Sequence, residues 1–320
     1  MAPDRFRERL ASGPPLLLDA ALGTELARRG LRTTLPVWSA WALIEAPEAV
    51  FGIHRDEIAA GADVLTSNTF RTHRRSLAKG GLGEGARQLT SRAVALARRA
   101  AGRANREVFV VGSLSPLEDC YRPDLAPEES LLAAEHLEQA RSLAEAGVDA
   151  ILAETHNSVR ELSAAVRAAK STGLPVVASM VTDGQGRLLS GESVEDAARE
   201  IAQIGPDVVG INCVPAARLA GDLALVRRTL PDWLMGAWGN LGPPSDDEKT
   251  RFAAEVSPDR YAEFARTWIA LGARLVGGCC GTTPAHTAAL RAMLDSAPSP
   301  PGRGPSAGQT QATNIASPKE

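Results

Sequence analysis

Runs of continuously apolar residues, rather than alternating ones, punctuate this chain at near-regular intervals. Eight stand out, at 16–21, 63–70, 108–114, 150–156, 175–180, 208–213, 234–240 and 274–280. A strand covered on both faces reads this way, because neither face meets water. Between the runs lie stretches rich in Ala, Leu, Arg and Glu with helical spacing. The clearest, 128–147, places Leu131, Leu132, Leu137 and Leu143 near one face and ends at Gly147, a helix-stopping residue. Two segments repeat one phrase: AAGADVLTSN (59–68) and AEAGVDAILAE (144–154) each run helix, glycine, acidic turn, strand. Eight strands alternating with helices predict an α/β fold, a single (β/α)8 TIM barrel. A doubly wound sheet is the other arrangement that this alternation allows.

The barrel is expected to occupy residues 1–296. The segment 297–320 holds five prolines and three glycines, no aromatic residue, and Ile315 as its one branched aliphatic. It has too little apolar surface to offset its chain entropy, so a disordered tail is expected there.

What ends each strand changes the picture from scaffold to site. The first run closes on Asp19, the second on Ser67, Asn68 and Thr69, and the fourth on Glu154, Thr155 and His156. The sixth closes on Asn212 and Cys213, the seventh on Trp238, Gly239 and Asn240, and the eighth on Gly278, Cys279 and Cys280. In a barrel these ends converge on one mouth, where such enzymes place their chemistry. Cys213, Cys279 and Cys280 can approach one ion at about 2.3 Å, and a metal matched to sulfur and content with a tetrahedral site is Zn2+. Three protein ligands leave a fourth position open. Gly277 and Gly278 are expected to let the backbone bend both sulfurs inward. Cys120, in a loop after the third strand, reads as a bystander. A zinc ion on three thiolates is too electron-rich to make hydroxide well, and suits binding and deprotonating a further thiol, whose sulfur then attacks carbon.

Composition narrows the class. Acidic residues number 38 and basic residues 35, a net charge of −3, with no basic stripe of the kind nucleic-acid binding requires. No apolar run approaches the ~18–20 residues of a membrane span, and Leu16–Leu18 is too short for a signal-peptide core, so a cytoplasmic location is expected. Four cysteines are too few for a disulfide scaffold. Of the histidines, His156 could line the mouth; His136 reads as a solvated helix residue, and His54, His73 and His286 as capping or packing groups. Trp38, Trp41 and Trp238 are candidates to face a cation.

Four segments, LLLDAALGTEL (16–26), TSNTFRTHRRSL (66–77), GINCV (210–214) and GGCCGTTPAH (277–286), resemble the homocysteine S-methyltransferase family. The resemblance runs from about residue 14 to 295. It implies a (β/α)8 barrel, catalytic zinc on Cys213, Cys279 and Cys280, and methylation of the homocysteine sulfur to give methionine. It implies that Asp19 and Glu154 hold the substrate ammonium and that Asn68 and Thr69 contact its amino-acid portion. Asn240 matches an asparagine that can take the fourth zinc position, and serves equally as a turn residue. Two features depart from the family pattern: Ala20 and Ala21 follow Asp19 where glycine is usual, and Arg71 stands where betaine-using members carry tyrosine. Charge and resemblance together point to a cationic donor, S-methylmethionine or S-adenosylmethionine. Betaine-like, other sulfonium or corrinoid-protein donors, a non-catalytic zinc barrel and a metal-free lyase are the competing readings.

Overall fold

A computed structural model of the 320-residue chain describes residues 3–242 and 256–296; the tail expected at 297–320 lies outside the described residues. The eight strands are β1 (Leu16–Leu17), β2 (Val64–Ser67), β3 (Phe109–Leu114), β4 (Ala150–His156), β5 (Val176–Met180), β6 (Val208–Pro215), β7 (Met235–Asn240) and β8 (Ala273–Gly278). All neighbours run parallel and follow each other around the sheet in chain order, with β1 paired to β8. Between β1 and β2 the Leu18–Val64 bridge closes the ring, helped by Asp63 N–H to Leu17 O at 2.7 Å and Asp19 N–H to Val64 O at 3.0 Å. Chain order without reversal rules out the doubly wound sheet, and the structure is a (β/α)8 barrel.

Two apolar layers form the core. Inside the ring pack Leu16, Leu18, Val64, Val111, Leu152, Val177, Val208 and Leu275; a larger layer lies between the strands and the helices outside them. The helix Pro3–Ala11 plugs the N-terminal end of the ring with Phe6 and Leu10, both fully buried, and Phe6 meets Phe109 edge to face at 5.3 Å.

The repeated phrase has a mechanical meaning. Gly61, Gly147 and Gly205 each end a helix in the left-handed region, at φ of 106°, 85° and 80°, where glycine alone pays no steric penalty. Two residues later stand Asp63, Asp149 and Asp207. Each carboxylate accepts a backbone N–H from the preceding strand: Leu17 at 3.0 Å, Val110 at 2.7 Å and Val176 at 2.8 Å. Arginines complete the braces, Arg106 and Arg291 on Asp63, Arg98 on Asp149 and Arg7 on Asp207.

Helix burial departs from the sequence reading in one place that matters. On Glu129–Ala146 the covered face is Leu132, His136, Gln139, Ala140 and Leu143, while Leu131 is 44% exposed. His136, read as solvated, is fully buried, because this stripe packs on the helix Val159–Lys170, where Glu161 Oε1 meets His136 Nε2 at 3.3 Å.

Replacing Asp149 by Ala removes an ionic acceptor shared by Val110 N–H and Arg98 at the end of the barrel away from the mouth. Unfolding free energy from urea titration should fall by about 2 kcal/mol, with bound-metal stoichiometry unchanged.

Candidate active site

The strand ends do converge. One pocket at the C-terminal mouth is lined by Asp19, Asn68, Glu154, Trp238, Cys213, Cys279 and Cys280, together with Trp38, Phe70 and Arg71 and with Cys120 and Tyr121 from the loop after β3. Cys120, read as a bystander, is therefore a wall of the same pocket. Thr69 is buried beside the pocket but does not line it, and its hydroxyl donates to Ser113 O at 2.9 Å. Trp41 lies away from it, stacked under Arg32 at 3.5 Å with its indole N–H on Thr34 O.

The three sulfurs of Cys213, Cys279 and Cys280 all lie within 4.8 Å of one another, and Cys213 Sγ is 3.9 Å from Cys280 Sγ. Two thiolates at about 2.3 Å from a tetrahedral ion stand about 3.8 Å apart, so this spacing is that of a ligand set. Hydrogen bonding from Cys279 and then Cys280 holds Cys213 well below the ordinary thiol value, while the contacts to Cys213 push Cys279 and Cys280 up. Asn240 donates Nδ2 to Cys213 O at 2.8 Å, and its buried Oδ1 has no partner among the described residues. Three thiols converging at ligand spacing, next to an asparagine tied to the Cys213 carbonyl, form a donor set suited to a cation. The residues present fit a metal.

How the chain aims these groups depends on two β-bulges. The β4–β5 register shifts between Ala153 and His156, and the β6–β7 register between Asn212 and Pro215. In the first Thr155 sits at φ 63°, in the second Cys213 at φ 59°, both in a region that non-glycine residues enter at a cost of about 1–3 kcal/mol. Glu154 and Thr155 therefore both reach the pocket. His156 is turned to the outer face, fully buried against Leu114 O at 3.2 Å, and does not line the mouth as its place at the strand end suggested. Asn212 holds the two bulges together. Its Oδ1 accepts Thr155 N–H at 2.9 Å and Ser179 Oγ at 2.8 Å, and its Nδ2 donates to Thr155 Oγ1 at 2.8 Å.

Gly277 and Gly278 act by space rather than by bending. Neither has a positive φ; a Cβ on Gly277 would stand 2.6 Å from Leu18 Cβ, and one on Gly278 would stand 2.3 Å from Thr282 Oγ1. The turn itself is at Gly281, φ 86°, whose N–H donates to Thr24 Oγ1 at 3.1 Å. Tyr261, unremarked in the sequence, ties the ends of β7 and β8: its hydroxyl lies 2.7 Å from Gly239 O and 2.9 Å from Gly277 O, and accepts Gly239 N–H at 3.0 Å.

The acidic groups are buried. Glu154 accepts Ser113 Oγ at 2.5 Å and Trp238 Nε1 at 3.2 Å, and burial raises its pKa to about 7. Asp19 accepts Thr66 N–H at 2.9 Å; burial, reinforced by Glu57, pushes its pKa well above the carboxylate range. Glu57, a buried acid on the helix Pro47–Ala60 that hydrogen bonds Thr287, escaped the sequence reading because nothing in the helical pattern marks it. Asn68 spends its amide on Ser39, accepting its hydroxyl at 2.6 Å and donating to its carbonyl at 2.9 Å, which fixes the turn carrying Trp38.

Comparison with known proteins agrees with this geometry. The family model described as homocysteine S-methyltransferase matches residues 16–294. The chain is 30% identical to homocysteine S-methyltransferase YbgG of Bacillus subtilis, over 88% of this chain and 95% of that one. It is 32% identical to homocysteine S-methyltransferase of Escherichia coli, over 87% and 94% of the two chains. Among solved structures, the metallated form of the homocysteine methyltransferase MmuM from Escherichia coli superposes with a TM-score of 0.78 at 28% identity, covering 91% of this chain and 99% of that one. The chain belongs to the homocysteine S-methyltransferase family.

Proposed function

We propose that the chain moves a methyl group from a sulfonium donor, S-methylmethionine or S-adenosylmethionine, to homocysteine, with zinc held by Cys213, Cys279 and Cys280. The observation that carries this reading is the meeting of three thiols and two buried acids in one pocket. Zinc at the thiols supplies a soft Lewis acid that lowers the pKa of an added thiol, so its sulfur is anionic near neutral pH. Asn240, whose buried Oδ1 has no partner among the described residues, would be the candidate for a fourth ligand.

The chain's own groups do the rest. Glu154 and Asp19 receive the substrate ammonium, a cation that restores to both carboxyls the charge that burial disfavours. Ser113 and the Trp238 N–H hold the Glu154 carboxylate in one orientation before substrate binds. Because the Trp238 N–H is committed to Glu154, its ring is fixed as a wall of the pocket. Trp38 and Phe70 add aromatic faces to the pocket, where a sulfonium gains about 0.5–2 kcal/mol over each well-placed ring. No general base is needed, since the attacking sulfur carries no proton. The two buried carboxyls of the pocket favour a positively charged donor over an anionic one, while the buried Arg71 that lines the same pocket gives its Nη1 to Glu118 O.

Purified protein loaded with zinc should form methionine from homocysteine and S-methylmethionine, measured by mass spectrometry, and a strong chelator should abolish it. Metal-replete protein that makes no methionine from either sulfonium would overturn the donor assignment. Each of Cys213→Ser, Cys279→Ser and Cys280→Ser should lose bound zinc by elemental analysis along with activity.

Glu154 sets a pH dependence. Its pKa of about 7 in the substrate-free site means that the carboxylate is neutral below that value and ionised above it. KM for homocysteine should therefore rise as pH drops from 8 to 6. Glu154→Gln should raise KM about 10–100-fold at pH 8 and flatten that profile. A wild-type KM that is level across the range would show that Glu154 does not bear the ammonium.

A further inference from the structure

Tyr121 stands in the mouth with its hydroxyl 3.1 Å from Cys213 Sγ, yet methyl transfer between two sulfurs requires no phenol. The loop 115–121 that presents it is fastened by buried groups on several sides. Glu161, itself met by His136, accepts Leu117 N–H at 2.8 Å. Arg71 Nη1 donates to Glu118 O at 2.8 Å, and Asn157 Nδ2 to Asp119 O at 3.3 Å and Cys120 O at 3.2 Å. The Ser115 hydroxyl donates to Phe70 O, and Asp119 Oδ1 accepts Tyr121 N–H at 2.9 Å. So many bonds on one short loop over-determine where the phenol stands.

A site that binds a methyl cation donor beside thiolates carries a hazard. A ligand sulfur can attack the donor in place of the substrate sulfur. The bond from the sulfonium sulfur to its methyl then breaks, its electron pair stays on the donor sulfur, and a Cys213 lone pair forms the new S–CH3 bond. Two neutral thioethers result, and the chain has lost an anionic metal ligand. When Cys213 is deprotonated, only the Tyr121 O–H can donate across the 3.1 Å contact. A charge-assisted O–H···S bond draws electron density from the lone pair that would attack.

We propose that the Tyr121 hydroxyl masks Cys213 Sγ as a nucleophile, directing methyl transfer to the substrate sulfur and away from the ligand. Its purpose rests on the sulfonium-to-sulfur reading above, but the masking can be tested with an electrophile that owes nothing to that reading.

Zinc-loaded wild-type and Tyr121→Phe protein would be exposed to iodomethane without homocysteine, and S-methylation measured peptide by peptide. Cys279 and Cys280 are the internal reference. Loss of the one oxygen should raise the Cys213 share relative to that pair roughly fivefold or more. An unchanged ratio overturns the proposal, and so does a parallel rise at all three cysteines, which is what mere loosening of the site produces. Methionine formation by the wild type with S-methylmethionine is assayed alongside. Its absence would sink the donor assignment while the iodomethane ratio still decides the role of Tyr121.

Discussion

The Asn212 carboxamide joins two stretches of backbone that would each relax if left alone. Thr155 and Cys213 occupy the left-handed region without the freedom of glycine; the β4 bulge persists because the Asn212 side chain reaches from β6 past β5 to β4 and satisfies Thr155, and at the β6 bulge the Cys213 carbonyl accepts Asn240 Nδ2. Everything distinctive about the mouth follows. One bulge swings Glu154 and Thr155 together into the pocket, and the other turns the Cys213 sulfur toward the pair after β8. A barrel with regular strands would present alternate residues only, and acid and thiol would not meet on the same floor.

The electrostatics of that floor invert the usual cost of burial. Asp19, Glu57 and Glu154 all have their carboxyl pKa raised chiefly by desolvation, so the empty pocket favours holding protons there. On the proposed reading, an arriving ammonium restores the charge that burial disfavours. The buried arginine at the rim, Arg71, gives its Nη1 to a loop carbonyl.

Much of this was legible in the sequence because it was written in residue type. Continuous apolar runs located the strands to within a few residues, and β4 was bounded at 150–156 as found. The cysteines were conspicuous because a doublet with two glycines before it is rare in a buried strand end. What escaped was written in backbone dihedrals and in tertiary contact. His156 looked like a mouth residue from its place at the end of the fourth strand, and the bulge turned it out. His136 looked solvated on a helix full of glutamates, but the stripe that packs on the neighbouring helix includes it. Tyr121 and Cys120 sit in a loop with no periodicity to read. Gly205-Pro206-Asp207 repeats the glycine-x-aspartate phrase, yet proline in the middle disguises it.

That phrase recurs once for every two strands through β6, and each aspartate reaches back to the strand before its own. The smallest piece of the barrel able to satisfy its own rim is therefore a β-α-β pair: β1 with β2, β3 with β4, β5 with β6. Such pairs are natural cooperative modules for assembly, each carrying its carboxylate-to-amide clasp before the ring exists, while the arginines that brace the three aspartates come from outside the pair. The seams between them, after β2, β4 and β6, lack that clasp. Local opening of the native ring should accordingly begin at seams and spare the pairs, leaving amide hydrogens protected in couples around the circle.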